Sequence, residues 1–286
     1  MKRIGSGWVS GLLGVIIFSG SLPATRVAVA GFSPLFLTSA RAVIAGILAG
    51  LALLLFDRNR PTGPETLRLT VVAAGVVIGF PLLTALALQH VSTAHSIVFV
   101  GLLPLATALF GVLRGGERPR PLFWIFSVCG ALLVASYALS QSGEGSRLGD
   151  VLMLGAILVC GLGYAEGAVL ARRLGGWQVI SWALLVALPV MAPLALTNRP
   201  ESWVGISEGA WIGLAYVSVF SMLVGFVFWY RGLALGGIAG VGQLQLLQPF
   251  FGFALAALLL GEPIAWSMIA STLLVVACVA GARRYA

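Results

Sequence analysis

Charged side chains are scarce in this sequence: only 9% of its 286 residues are Asp, Glu, Lys or Arg. A soluble domain carries roughly 25%, so a water-solvated globular fold is excluded before any motif is read. Lysine occurs once, as Lys2, and the sixteen arginines stand singly or in pairs between apolar runs. No basic tract or stripe forms, which excludes a nucleic-acid partner despite a formal net charge of +8. Cysteine and histidine are sparse too. Cys129, Cys160 and Cys278 each fall inside an apolar run, with no CxxC pair and no histidine at ligand spacing. They read as small buried residues, and no metal centre is expected. Without a buried nucleophile and base, an intramembrane enzyme has no chemistry to use, and no cofactor is called for. Polar connectors are short as well, the longest being 57–66, 141–149 and 198–206, so no soluble domain has room to exist.

What the chain does contain is apolar sequence, 59% of residues at a mean hydropathy of +1.04. A helical span needs about 20 such residues to cross ~30 Å of hydrocarbon. Ten runs fit, at 8–29, 34–56, 67–89, 93–113, 121–140, 150–171, 177–197, 207–230, 237–260 and 263–282. The start, Met1-Lys2-Arg3 before an apolar run and Ala28-Val29-Ala30, resembles a secretory signal; its length beyond a usual signal core makes it an uncleaved first span. Placing the N-terminus inside puts thirteen of the seventeen basic residues in inner segments and four outside, which predicts N-in and C-in. Trp8, Trp124, Trp177 and Trp229 then fall near inner ends and Trp203, Trp211 and Trp266 near outer ends, as an aromatic belt does.

The chain also echoes itself. Pro104 stands twelve residues before Gly116-Glu117, and Pro249 twelve before Gly261-Glu262, an offset of 145. Leu13–Gly20 overlies Leu154–Gly161, at an offset of 141. Two homologous halves follow, at 8–140 and 150–282, each with five spans. An odd span count inserts the second half upside down relative to the first. Inverted halves are a property of secondary transporters, whose substrate sites lie near the midplane between them.

Ten spans in two inverted halves, with a proline inside each fourth helix and Gly-Glu at its end, resemble the EamA-type branch of the drug/metabolite transporter superfamily. Within it the chain looks most like the YddG-type bacterial exporters of aromatic amino acids. The resemblance implies an all-α, basket-shaped fold with a central cavity lined mainly by spans 3, 4, 8 and 9, and spans 5 and 10 behind. It implies export of a small-molecule substrate across the bacterial inner membrane; the inverted halves provide for alternating access, and a monomer among lipid is expected. Aromatic and other neutral amino acids come first; other amphipathic metabolites or drugs are the alternative.

Several residues could carry that function. Pro104 and Pro249 lie about 16 and 18 Å into their spans at 1.5 Å per residue. Each removes the hydrogen bond to the carbonyl four residues earlier, so they are candidate hinges or tolerated kinks. Gln245 and Gln248 share a helix face and could line the cavity or join helices, whereas Gln243 points away. Phe80, Phe99, Tyr164 and Tyr216 are mid-depth aromatic candidates for substrate contact, and Trp182 lies one turn deeper than an anchor would. Arg41 could attract an anionic group or snorkel outward. His95, with His90, brackets a turn where it could pass protons. Glu166 is the acidic residue well inside a span: a coupling candidate, or one half of an ion pair with Arg172 or Arg231. Small-residue pairs such as Gly7/Gly11, Gly75/Gly79 and Gly163/Gly167 predict close helix contacts.

Overall fold

Long apolar runs put their backbone where no water can serve it, and a helix satisfies every N–H and carbonyl within the segment. The computed structural model describes residues 2–56, 60–91, 96, 99–141, 146–260 and 266–286 and is helical, with no strand among them. Among the described residues six helical rods are long and apolar enough to cross a bilayer: Gly5–Ala28, Pro34–Phe56, Gly63–Ala87, Arg147–Leu174, Gly176–Thr197 and Glu208–Gly236. Leu103–Gly115 and Pro121–Ser136 are shorter apolar helices. The surface is apolar, with Ile47, Leu54, Leu55, Leu132 and Leu273 exposed, whereas Ser39, Glu166 and Gln243 are fully buried. That reversal of the soluble pattern fits a lipid surround.

In chain order the helices are α1 (Lys2–Ser19), α2 (Ser21–Ala28), α3 (Pro34–Phe56), α4 (Gly63–Val72), α5 (Phe80–Ala87), α6 (Leu103–Gly115) and α7 (Pro121–Gln141). There follow α8 (Arg147–Leu174), α9 (Gly176–Thr197), α10 (Glu208–Tyr216), α11 (Gly225–Gly236), α12 (Ile238–Gly242), α13 (Gln248–Leu260) and α14 (Trp266–Tyr285). The main pairings are α1 on α11, α3 on α9, α7 on α14, and α8 on both α6 and α5. At α1 and α11 the backbones nearly touch: a Cβ added at Gly232 would lie 2.6 Å from the Gly11 nitrogen, and one at Gly7 2.6 Å from the Gly236 nitrogen. Gly75 and Gly163 meet in the same way between the α4–α5 rod and α8. The expected glycine contacts therefore exist because no side chain stands between the helices.

Irregular backbone recurs at related places. The α4–α5 rod is π-helical over Ala73–Gly79, and the α10–α11 rod over Val217–Val224. In the first, Pro81 offers no N–H to the Val77 carbonyl; the second makes the same change without a proline. The run at 237–260, read from sequence as one helix, is three pieces: α12, a 3₁₀ segment Gln243–Leu247, and α13. Pro249 is the second residue of α13, as Pro104 is the second residue of α6. Both prolines thus follow a break at a helix start rather than kinking a continuous helix. The Gln245 carbonyl is not freed for a ligand, because it accepts the Gln248 N–H. Glu262 of the second Gly-Glu pair lies outside the described residues, as does His95.

At one end of the bundle Trp203 and Trp211 stack at 5.7 Å over Phe32 and Phe36, an aromatic rim suited to a membrane boundary. Trp229 is different. Expected as an anchor, it is wholly buried, edge-on to Tyr164 at 5.4 Å and Phe18 at 6.2 Å. The missing Cβ of Gly14, which would lie 3.1 Å from the Trp229 nitrogen, is what lets α1 pass so close to it.

The glycine seam is directly testable. Gly232→Ala forces a methyl against the Gly11 backbone and should cost about 1–3 kcal/mol, read as a lower thermal midpoint of the purified protein in detergent. Gly5→Ala, where a Cβ meets nothing within 4 Å, should leave the midpoint unchanged; equal midpoints for the two variants would contradict the packing described.

Candidate functional site

A narrow central cavity is formed where the irregular segments converge. Phe18, Phe80, Tyr164 and Phe226 supply an aromatic wall, and Ser21, Thr25, Arg41, Thr84, Ser221 and Gln248 supply polar groups. The π-helical segments contribute directly, Val76 from one and Ser221 from the other. The space open to the centre of a water molecule is about 30 Å³. One water requires roughly 10–15 Å³ on that measure, so the cavity holds a few waters and no metabolite until the helices part.

Beneath it the aromatic rings close the way to one end of the bundle. Phe18 and Phe226 meet edge-to-face at 5.0 Å, and Tyr164 stands 5.9 Å from Phe226. Gln245 Nε2 donates to the Tyr164 oxygen at 3.3 Å, one turn below the cavity, and Tyr230 donates to the Gly163 carbonyl at 3.1 Å. Gln248 faces the cavity while its Nε2 donates to the Phe18 carbonyl at 3.2 Å. That carbonyl belongs to the last turn of α1, whose intrahelical partners run out there.

Below this floor lies a basic end. Glu166 is fully buried on α8 and accepts from Arg68 Nε at 2.8 Å and from Arg114. Its partners are therefore not Arg172 or Arg231: Arg172 pairs with Glu117 at 3.0 Å, and Arg231 is exposed. Arg173 pairs with Glu65. Glu117 has a further task, accepting the Ile238 and Ala239 N–H groups at 2.7 Å each, so a residue just past the end of α6 also holds the start of α12. Gly237, at φ +92°, makes the turn that presents those two N–H groups, a conformation only glycine adopts without strain.

Of the residues singled out in the sequence, the cavity wall includes Phe80, Tyr164, Gln248 and Arg41. Gln245 lies under the wall, tied to Tyr164. Tyr216 is turned away, donating to the Ile17 carbonyl at 2.6 Å and stacking on Phe220. Trp182 and Phe99 pack against the apolar core outside the cavity wall, and Pro104 and Pro249 are helix starts flanking it. Sequence reasoning missed Phe18, Phe226, Ser21 and Ser221. Phe18 stands next to the Ser19-Gly20 of the internal echo, but nothing in its spacing told which way the ring turned.

Comparison with known proteins now adds to this geometry. A family model described as the EamA-like transporter family matches residues 5–137 and again 147–283. The chain is 65% identical over 286 residues to a Bacillus subtilis (strain 168) protein named "Uncharacterized transporter YdeK", with 100% of each chain covered. It is 23% identical over 254 residues to an "Uncharacterized transporter" of Archaeoglobus fulgidus, covering 87% of this chain and 88% of that one. A solved crystal structure superposes with a TM-score of 0.79 at 18% identity, covering 97% of this chain and 98% of the other; at that identity the likeness is one of fold.

The Glu117 cap yields an expectation for stability. Glu117→Ala leaves two backbone N–H groups and Arg172 without their acceptor and should cost about 1–3 kcal/mol. Glu117→Gln, keeping one oxygen acceptor, should fall between. Thermal unfolding in detergent measures both, and a wild-type midpoint for Glu117→Ala would remove the cap from the account.

Proposed function

The chain belongs to the EamA-like transporter family, and from that membership we propose that it exports small metabolites by alternating access. The observation that carries the proposal is the narrow central cavity, walled by aromatic rings and hydroxyl groups, at the meeting point of the interrupted helices. Rings take the apolar body of a cargo, and a few fixed polar groups orient it. Aromatic and other neutral amino acids are the first cargo on this reading; other amphipathic metabolites or drugs are the second.

The proposed machine is ten spans in two inverted halves, 8–140 and 150–282. Three features support it: the two family matches divide the chain there; the π-helical segments fall in the corresponding rods; and Pro104 and Pro249 open corresponding helices 145 residues apart. With the arginine-rich end facing the cytoplasm of a bacterial cell, as the distribution of basic residues favours, both termini are cytoplasmic. Cargo entering from that side must part the rings of Phe18, Tyr164 and Phe226 and separate α8 from the helices bearing Arg68 and Arg114. Glu166 is then a tie across the inner route, not a proton carrier. Exit to the outside requires the opposite end, near Thr25 and Thr84, to open.

Counterflow in proteoliposomes, run across amino acids, drugs and sugars with and without an imposed pH gradient, tests the reading. Phenylalanine and tryptophan inside should accelerate entry of labelled phenylalanine; acceleration only by other compounds would move the cargo to the second class. Phe80→Ala should lower phenylalanine counterflow about tenfold, a loss near 1.4 kcal/mol of apolar contact, with folded yield unchanged. Undiminished flux in that variant would take Phe80 out of the site.

A further inference from the structure

Arg41 carries a buried donor with no hydrogen-bond partner. The residue is 6% exposed; its Nη2 donates to Ser221 Oγ at 3.2 Å, and its Nε has no acceptor. A guanidinium carries five N–H donors and does not lose its charge in a protein. Ser221 Oγ also accepts from Ser21 Oγ at 2.8 Å, so with two donors pointed at its oxygen its own proton is left to donate into the cavity. Among the described residues no acidic one lines that cavity. The paired glutamates Glu65, Glu117 and Glu166 belong to other arginines at the basic end. Arg26 makes the contrast: its guanidinium donates to the Leu88 carbonyl at the end of the α5 turn, where a helix terminus offers partial negative charge.

A cation held away from water without a counter-charge is costly, and inside a membrane protein such residues face a cavity or a pathway. Arg41 lies seven residues into α3, about 10 Å from its start, and it turns inward rather than reaching along the helix to the boundary. We infer that the cavity is built for cargo bearing a carboxylate or similar small anion, anchored by the Arg41 guanidinium with Ser221 as a second donor. This rests on the transport reading above and narrows its cargo. A carboxylate matches the forked donors of a guanidinium, while Phe18, Phe80 and Phe226 surround the apolar remainder. Among the described residues of the wall an ammonium group finds no carboxylate, only ring faces and polar oxygens. The anionic group is thus the required feature of the cargo, and the ammonium of an amino acid is dispensable.

Three matched probes separate these groups: L-phenylalanine, 3-phenylpropanoate, which lacks the ammonium, and 2-phenylethylamine, which lacks the carboxylate. Each is measured as protein-dependent counterflow against protein-free liposomes, and as a ligand-induced rise in the thermal midpoint of the purified protein. Phenylalanine and 3-phenylpropanoate should act in both assays and 2-phenylethylamine in neither. Arg41→Gln should lower flux of the two carboxylates at least tenfold and abolish their midpoint shift, and Arg41→Lys should retain part of each. An amine that is carried or stabilises as well as the carboxylates would overturn the inference. So would a wild-type response from Arg41→Gln, or a cargo from the wider panel that carries no anionic group. Absence of counterflow for every panel compound would reject the transport reading instead; the midpoint shift reads the Arg41 site separately, and no shift with either carboxylate would reject this inference.

Discussion

Backbone that leaves the α-helical pattern inside a membrane must find its hydrogen-bond partners within the protein, and this structure is arranged around that demand. The start of α12 is met by the Glu117 carboxylate, the turn after α5 by the Arg26 guanidinium, and the last turn of α1 by Gln248. The 3₁₀ segment Gln243–Leu247 meets part of the demand by itself, tightening so that a carbonyl the proline abandons is taken by the residue before it. Each solution needs a neighbour close at hand, and the cavity forms where the two π-helical segments and the last turn of α1 meet.

Much of the large-scale plan is legible in composition and periodicity. The apolar runs, the short connectors and the glycine contacts follow from lipid thickness and helix packing, which act on stretches of sequence and average over single residues. Individual side chains are less legible. Gln245 and Gln248 do share a face, as three-residue spacing requires, yet one lines the cavity and the other props Tyr164 from beneath; depth along the axis separates them, and spacing carries no depth. Glu166 announced a need for positive charge but not its source, since Arg68 and Arg114 come from helices distant in sequence. Trp229 fell at the position of a boundary anchor, and only the glycines of α1 opposite it reveal that the space is inside. Phe18 and Ser221 gave no signal, because a phenylalanine or serine in an apolar run is ordinary wherever it points.

The two ends of the molecule are closed by different physics. Toward the basic end, rings interlock above a set of ion pairs, and the buried member, Glu166, is shared between two partly exposed arginines. Such a pair contributes little net stability when formed, but losing one member of it is costly, so it fixes geometry more than it adds strength. Toward the other end, Trp203 and Trp211 cover an apolar cluster built on Phe32, Phe36 and Leu214, where burial of surface is the main term. A charge-fixed closure and an apolar closure respond differently to salt, the first being screened and the second strengthened by excluded salts.

The seam between α1 and α11 has a consequence for motion. Where Gly7 and Gly11 face Gly232 and Gly236, backbone lies on backbone, and along that stretch no side chains interlock between the two helices; the rings of Phe18, Phe226 and Trp229 engage only farther along. Along the glycine stretch resistance to sliding comes from shallow dispersion contacts. Interdigitated leucines would act as a ratchet, with discrete positions and barriers between them; a glycine track is a bearing, smooth along its length and stiff across it.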